Sequence, residues 1–139
     1  MVTEYDAATY GDRMAGVYDK WFAVPSDPED AVELLSDLAC AGPVLELGIG
    51  TGRVALPLAQ RGHEVRGVDA SEVMVERLRA KPGGENVPVA TWDFAEADTE
   101  EEFSLVYVVF NTFFALLSQG DQVRCFSNVA RRLREGVYL

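Results

Sequence analysis

The chain has 139 residues, 48% of them hydrophobic and 25% charged, which fits one soluble globular domain built on one core. Its formal charge of −11 argues against a nucleic-acid surface, which needs a basic face to displace phosphate counterions. No apolar run approaches the roughly 20 residues of a membrane span, Met1 to Asp6 lack the basic and apolar regions of a secretory signal, and two separated cysteines with one histidine nearly exclude a zinc site. Cys40 and Cys125 therefore read as reduced thiols of a cytoplasmic protein.

Residues 3–22 predict a helix with an aromatic face of Tyr10, Tyr18 and Trp21, weakened by Gly11 and Gly16. Pro25 to Pro28 break it, and Ser26 with Glu29, or Asp27 before Pro28, starts a helix running to about Ala39 with an apolar stripe of Ala31, Leu34, Leu35 and Leu38. Val44 to Leu47 is a first strand. A helix over Arg53 to Arg61 is closed by Gly62. Glu64 to Val68 is a second strand, and Ser71 caps a helix ending near Lys81. Val87 to Ala90 is a third strand. Leu105 to Phe110 is a fourth, apolar throughout and so buried on both faces. Ser118 opens a helix to about Leu133, with Arg131, Arg132 and Arg134 on its solvated face; Gly136 ends it and strand five begins at Val137. Glu100 to Glu102 read as a solvated loop.

Strands alternating with helices predict an α/β, doubly wound, mostly parallel Rossmann-like sheet of about five strands with helices on both faces. The division is one domain over 1–139: an N-terminal helical segment over 1–25 and a ligand-binding core over 26–139. Ligands of such sheets bind at the carboxyl ends of the strands, at the switch point.

The segment Val44-Leu45-Glu46-Leu47-Gly48-Ile49-Gly50-Thr51-Gly52-Arg53 runs from a strand through a glycine-rich turn into a helix. Glycines there admit a sharp bend and the close approach of a ligand. Asp69, at the end of strand two, is placed to accept hydrogen bonds from both hydroxyls of a ribose, and it would repel a 2′-phosphate. A plainer reading makes the glycines a tight turn and Asp69 a helix cap. The dinucleotide fingerprint wants a third glycine at position 53, where Arg53 stands; the third glycine is Gly52. Glu46 would repel a pyrophosphate and suit a cationic ligand carrying an amino group.

These features, in order, resemble the class I S-adenosylmethionine-dependent methyltransferases. Val44 to Arg53 is similar to their first motif, Val68 to Ser71 with Met74 to their second, and Thr91 to Phe94 to their third. Val106 to Phe114, followed by Arg131 to Gly136, is similar to the fourth strand and the helix leading to the fifth. The resemblance implies S-adenosyl-L-methionine as cofactor. It places Gly48, Gly50, Gly52 and Arg53 against that ligand, with Glu46 on its ammonium directly or through water, Asp69 on its ribose, and Ala70 and Met74 beside its adenine. It further gives Asp93 the adenine amino group and Phe94 a backbone contact to the ring. Phe110 then lines the methionine end and Asn111 faces the methyl acceptor, though Asn111 reads equally as a helix cap. Tyr18 is a candidate substrate residue, as part of an aromatic lid or else as plain packing.

The implied reaction is methyl transfer to a small-molecule acceptor, with no metal and no identifiable base; His63 reads as an exposed loop histidine. The family fold usually adds two further strands as an edge hairpin, so a shortened sheet is expected, with an exposed edge that invites a homodimer. Ser104 stands where the family commonly has Asp. A non-catalytic ligand-binding or assembly module and an NAD-linked oxidoreductase are the alternatives.

Overall fold

The computed structural model describes residues 28–91, 101–109 and 118–138. The predicted helix over 3–22 lies outside them, as do Tyr18, Asp93, Phe94, Phe110 and Asn111.

In chain order the described elements are α1 (Glu29–Ala39), β1 (Val44–Leu47), α2 (Ala55–Gln60), β2 (Val65–Asp69), α3 (Glu72–Arg79), a 3₁₀ turn (Gly84–Asn86), β3 (Val89–Thr91), β4 (Phe103–Tyr107), α4 (Gln119–Ala130) and β5 (Leu133–Tyr138). The sheet order is β3-β2-β1-β4-β5, and all four pairings are parallel. The chain winds outward from β1 to β3, then returns to the other side of β1. The switch point therefore lies between β1 and β4.

Burial follows from the two-sided cover. Every residue of β1 and of β4 is buried, in keeping with their mostly apolar sequences, and the two polar exceptions are Glu46 and Ser104. Alternate residues of β1 go to opposite faces. Val44 joins the core formed with α1, α2 and Leu78 of α3, while Leu45 and Leu47 join the core formed with Cys125 and Val129 of α4. Ser71 and Ser118 cap α3 and α4 as expected, accepting from Met74 N and Asp121 N. Gly62 closes the α2 turn at φ 93°.

Four expectations need correction. In α1 the buried stripe is Val32, Leu35 and Ala39; Leu34 is 59% exposed, because the helix is turned to seat Val32 under the sheet. Helix α4 stops at Ala130 and Gly136 lies inside β5, not before it. Between Phe103↔Leu133 and Leu105↔Tyr138 the pairing slips, and this irregularity holds the glycine that looked like a helix terminator. Consequently Arg131 follows the helix, Arg132 sits in the turn and Arg134 belongs to β5, so the three arginines do not share a helix face. Strand four begins at Phe103 and closes at Tyr107, two residues upstream of its predicted start and three short of its predicted end.

Candidate functional site

The carboxyl ends of β1, β2 and β4 converge on the glycine turn after β1. Gly48, Gly50 and Gly52 all have positive φ, at 68°, 56° and 81°. Gly52 is the most constrained, since a Cβ there would lie 3.0 Å from both Leu56 Cγ and Leu78 Cδ1 in addition to the left-handed strain. The turn is also anchored from below. Ile49 is buried, and its side chain fills the space over Gly67 of β2, where a Cβ would come within 2.4 Å of Ile49 Cδ1.

The amides of this turn are already paired. Gly48 N and Ile49 N donate to Val68 O, Gly52 N donates to Ile49 O, and Gly50 N donates to Asp69 Oδ2 at 2.7 Å. Asp69 also accepts from Ser71 N through Oδ1 at 2.9 Å. It is half-buried at the end of β2, while the side-chain cap of α3 is Ser71. Asp69 therefore clamps the glycine turn to the β2–α3 turn, which is more than the plain capping reading allowed. Met74 is buried in the first turn of α3, with Cε 3.9 Å from where a Gly50 Cβ would stand, and Ala70 is half-buried between them in sequence. Arg53 is half-buried at the exit of the turn.

Glu46 is 2% exposed, on the β1 face that carries Val44. Register sets its neighbours: Gly67 of β2 lies on one side and Tyr107 of β4 on the other. Tyr107, itself buried, donates its phenolic hydroxyl to Glu46 Oε2 at 2.9 Å. Burial pushes the Glu46 carboxyl up to about 8, with the Asp69 charge adding to the rise and the Tyr107 hydrogen bond opposing it. Near neutral pH the group is therefore mostly protonated. The Tyr107 hydroxyl is held above its usual range, by burial first and by the Glu46 charge second.

Two contacts at this end were not foreseen. Tyr107 looked like one more apolar strand residue. Lys81, just past α3, sends Nζ to Thr51 O in the glycine turn at 2.9 Å. Neither has a sequence signature; a parallel register or a helix end brings each in from a distance. His63 differs from expectation as well. It is half-buried, with Nε2 and Ser36 Oγ 2.7 Å apart, and it stands before β2, at the opposite end of that strand from Asp69. Among the described residues no cluster of His, Cys, Asp or Glu has the makings of a metal site, neither cysteine is in a disulfide, and no helix is long and apolar enough to cross a membrane.

A family model described as a methyltransferase domain matches residues 44–136, from the first residue of β1 into β5. The chain belongs to that family. Cypemycin N-terminal methyltransferase of a Streptomyces species is 33% identical over 93 residues, which cover 67% of this chain and 38% of that protein. The CcbJ methyltransferase of Streptomyces caelestis superposes with a TM-score of 0.88 at 45% identity, over 96% of this chain and 56% of its own. The glycopeptide N-methyltransferase MtfA, solved with S-adenosyl-L-methionine, shares the fold at a TM-score of 0.70 and 21% identity, over 82% of this chain and 49% of its own. The chain thus spans roughly 38–56% of the length of these three proteins. Its place among the class I S-adenosylmethionine-dependent methyltransferases, with the Rossmann-like sheet, agrees with the sequence reading, and S-adenosyl-L-methionine is the cofactor of that class.

Proposed function

We propose that this chain is the cofactor-binding core of an S-adenosylmethionine-dependent methyltransferase whose acceptor is a small molecule, with an amine nitrogen as the first acceptor to test. The observation that carries it is the pair of acids at the switch point: Glu46 beneath the glycine turn and Asp69 clamped to it.

The donor set suits a cationic, phosphate-free nucleoside. A pyrophosphate would need the turn amides, but those of Gly48, Ile49, Gly50 and Gly52 are spent on Val68 O, Asp69 Oδ2 and Ile49 O. It would also sit over Glu46. Both facts speak against an NAD-linked reaction. In this reading Glu46 receives the methionine ammonium, which would draw the proton off the carboxyl. Asp69 keeps its two backbone amides and offers its remaining lone pairs to the ribose hydroxyls. Gly48, Gly50, Gly52 and Arg53 lie along the ligand, and Ala70 and Met74 flank the adenine. Asp93, Phe94 and Phe110 keep the cofactor contacts, and Asn111 and Tyr18 the acceptor-side roles, that the family resemblance gives them.

Bound S-adenosylmethionine supplies an already activated methyl group, so the protein's work is alignment and exclusion of water. A neutral amine attacks without a base. That fits a described site in which the Glu46 carboxyl is buried against Tyr107 and His63 stands at the far end of β2. The name of the 33%-identical relative, an N-terminal methyltransferase, favours nitrogen too.

Calorimetric titration with S-adenosylhomocysteine tests the reading directly. Saturable heat is expected with this ligand and none with NADH; absence of heat with the nucleoside at millimolar concentration would leave only a non-catalytic module.

A further inference from the structure

Glu46 is a group whose isolation in a protein core is unfavourable in either state. As a carboxylate it lacks solvent; as an acid it cannot balance a cation. What distinguishes its setting among the described residues is the hydrogen bond that Tyr107 makes to one of its two oxygens. The β1–β4 register puts Tyr107 directly beside Glu46, and its hydroxyl takes Oε2 at 2.9 Å. On the other side stands Gly67, which carries no side chain.

We propose that Tyr107 is a positioning residue for the amino-acid half of the cofactor: it fixes Glu46 by Oε2 so that Oε1 meets the ligand ammonium, and binding proceeds with release of the carboxyl proton. This rests on the cofactor reading above and adds to it a residue and a proton. The balance is simple. A protonated Glu46 and an incoming ammonium give a carboxylate–ammonium pair, and one proton leaves to solvent. Tyr107 keeps its own proton throughout and donates the same hydrogen bond, which strengthens once its acceptor is charged.

The other titratable and charged groups around Glu46 do not substitute for Tyr107. Asp69, at the end of β2, is a carboxylate and opposes ionisation of Glu46. The glycine turn carries Arg53, and Lys81 Nζ is bonded to Thr51 O. On the same face, the α1 acids Glu29, Asp30, Glu33 and Asp37 and the α3 residues Glu72, Glu76, Arg77 and Arg79 are all exposed, and α2 has no titratable side chain. Among the described residues the phenol on β4 is the group in hydrogen-bond contact.

The test compares two ligands on wild type and Tyr107→Phe. S-adenosylhomocysteine carries the amino-acid half and methylthioadenosine lacks it. Wild-type binding of both by calorimetry secures the cofactor reading independently of Tyr107. The proposal expects Tyr107→Phe to weaken S-adenosylhomocysteine by roughly 10-fold or more, the loss of one hydrogen bond to a charged group, while methylthioadenosine stays within about twofold. It also expects the pH midpoint of S-adenosylhomocysteine affinity to move upward, because the lost hydrogen bond favoured the carboxylate. Equal weakening of both ligands, weakening of neither, or an unmoved midpoint would overturn it. Wild type alone gives a second measurement, independent of whether the variant folds. Near pH 7, titrations in buffers of different ionisation enthalpy should show close to one proton released with S-adenosylhomocysteine and none with methylthioadenosine, and equal release with both refutes the idea.

Discussion

The two ends of the central strands are both polar, and they are built differently. At the amino end, Ser104 of β4 donates its hydroxyl to Ala39 O at 2.9 Å and lies 3.1 Å from Pro43 O, and its amide donates to Pro43 O. These are neutral groups meeting backbone carbonyls, and they fasten α1 and the entry to β1 against the sheet. At the carboxyl end, Glu46 and Tyr107 are buried as a pair in which one group is acidic, and Asp69 holds a turn of three left-handed glycines. The amino end satisfies its polar groups at little cost. The carboxyl end holds an ionisable group where ionisation is penalised, and groups perturbed in this way cluster at functional sites, which is the ground of the proposal above.

The comparison breaks most visibly at Glu46. Its folded-state value near 8 stands above the ordinary 4.5. Below about 4.5 the group is neutral in both folded and unfolded chains and has no effect; between 4.5 and 8 the unfolded chain ionises first, and stability falls as pH rises until the loss is complete above 8. Glu46→Gln removes that loss. At pH 9 the variant is expected to melt several degrees above wild type. The same change should weaken S-adenosylhomocysteine by at least about 30-fold, since it removes one member of a buried charge pair. Parallel thermal melts and titrations at pH 6 and 9 read both effects. A variant less stable than wild type at pH 9 would mean that Glu46 is structural, like the amino end.

A smaller break lies in the floor of the turn. Gly67→Ala puts a methyl 2.4 Å from Ile49 Cδ1 and 2.8 Å from Ile49 Cβ, so Ile49 must move and take Gly48 and Gly50 with it. About 1–3 kcal/mol of stability should be lost to overpacking. Nucleoside affinity should drop by roughly 10-fold, through displacement of the turn alone. Chemical denaturation and calorimetry on one preparation separate the two. Lost stability with unchanged affinity would show that the turn reseats itself without Ile49.

How much of this was legible in the sequence depends on how far apart the partners lie. β1 was read to the residue, and the doubly wound parallel sheet followed from alternation and handedness, though its strand order did not. Asp69 and the three glycines announced themselves because turn chemistry is local. Tyr107 did not, because its role is set by a partner 61 residues away, across a strand pairing that sequence pattern does not encode. Gly67 drew no notice in the sequence, yet it makes the space that Ile49 fills. Leu34 and Val32 are two apolar residues on different sides of one helix, and only packing decides which side is inward. Gly136 was taken for a terminator because glycine ends helices more often than it sits in an irregular strand; the slipped β4–β5 register reverses that.

The smallest effect is expected at the amino end, and it completes the contrast. Ser104→Ala removes the hydroxyl but keeps the amide of residue 104 on Pro43 O, and Ala39 O retains Gly42 N at 3.4 Å. Neither carbonyl is orphaned, so the loss should be about 1 kcal/mol. The site lies at the other end of β4 from Tyr107, so affinity for S-adenosylhomocysteine should stay within about twofold of wild type, and its pH dependence should not move. A denaturant series with a single titration suffices to check this. If the alanine variant instead shifted the pH profile of binding, the two ends of β4 would be coupled along the strand. Glu46 would then answer to the packing of the whole sheet and not to Tyr107 beside it.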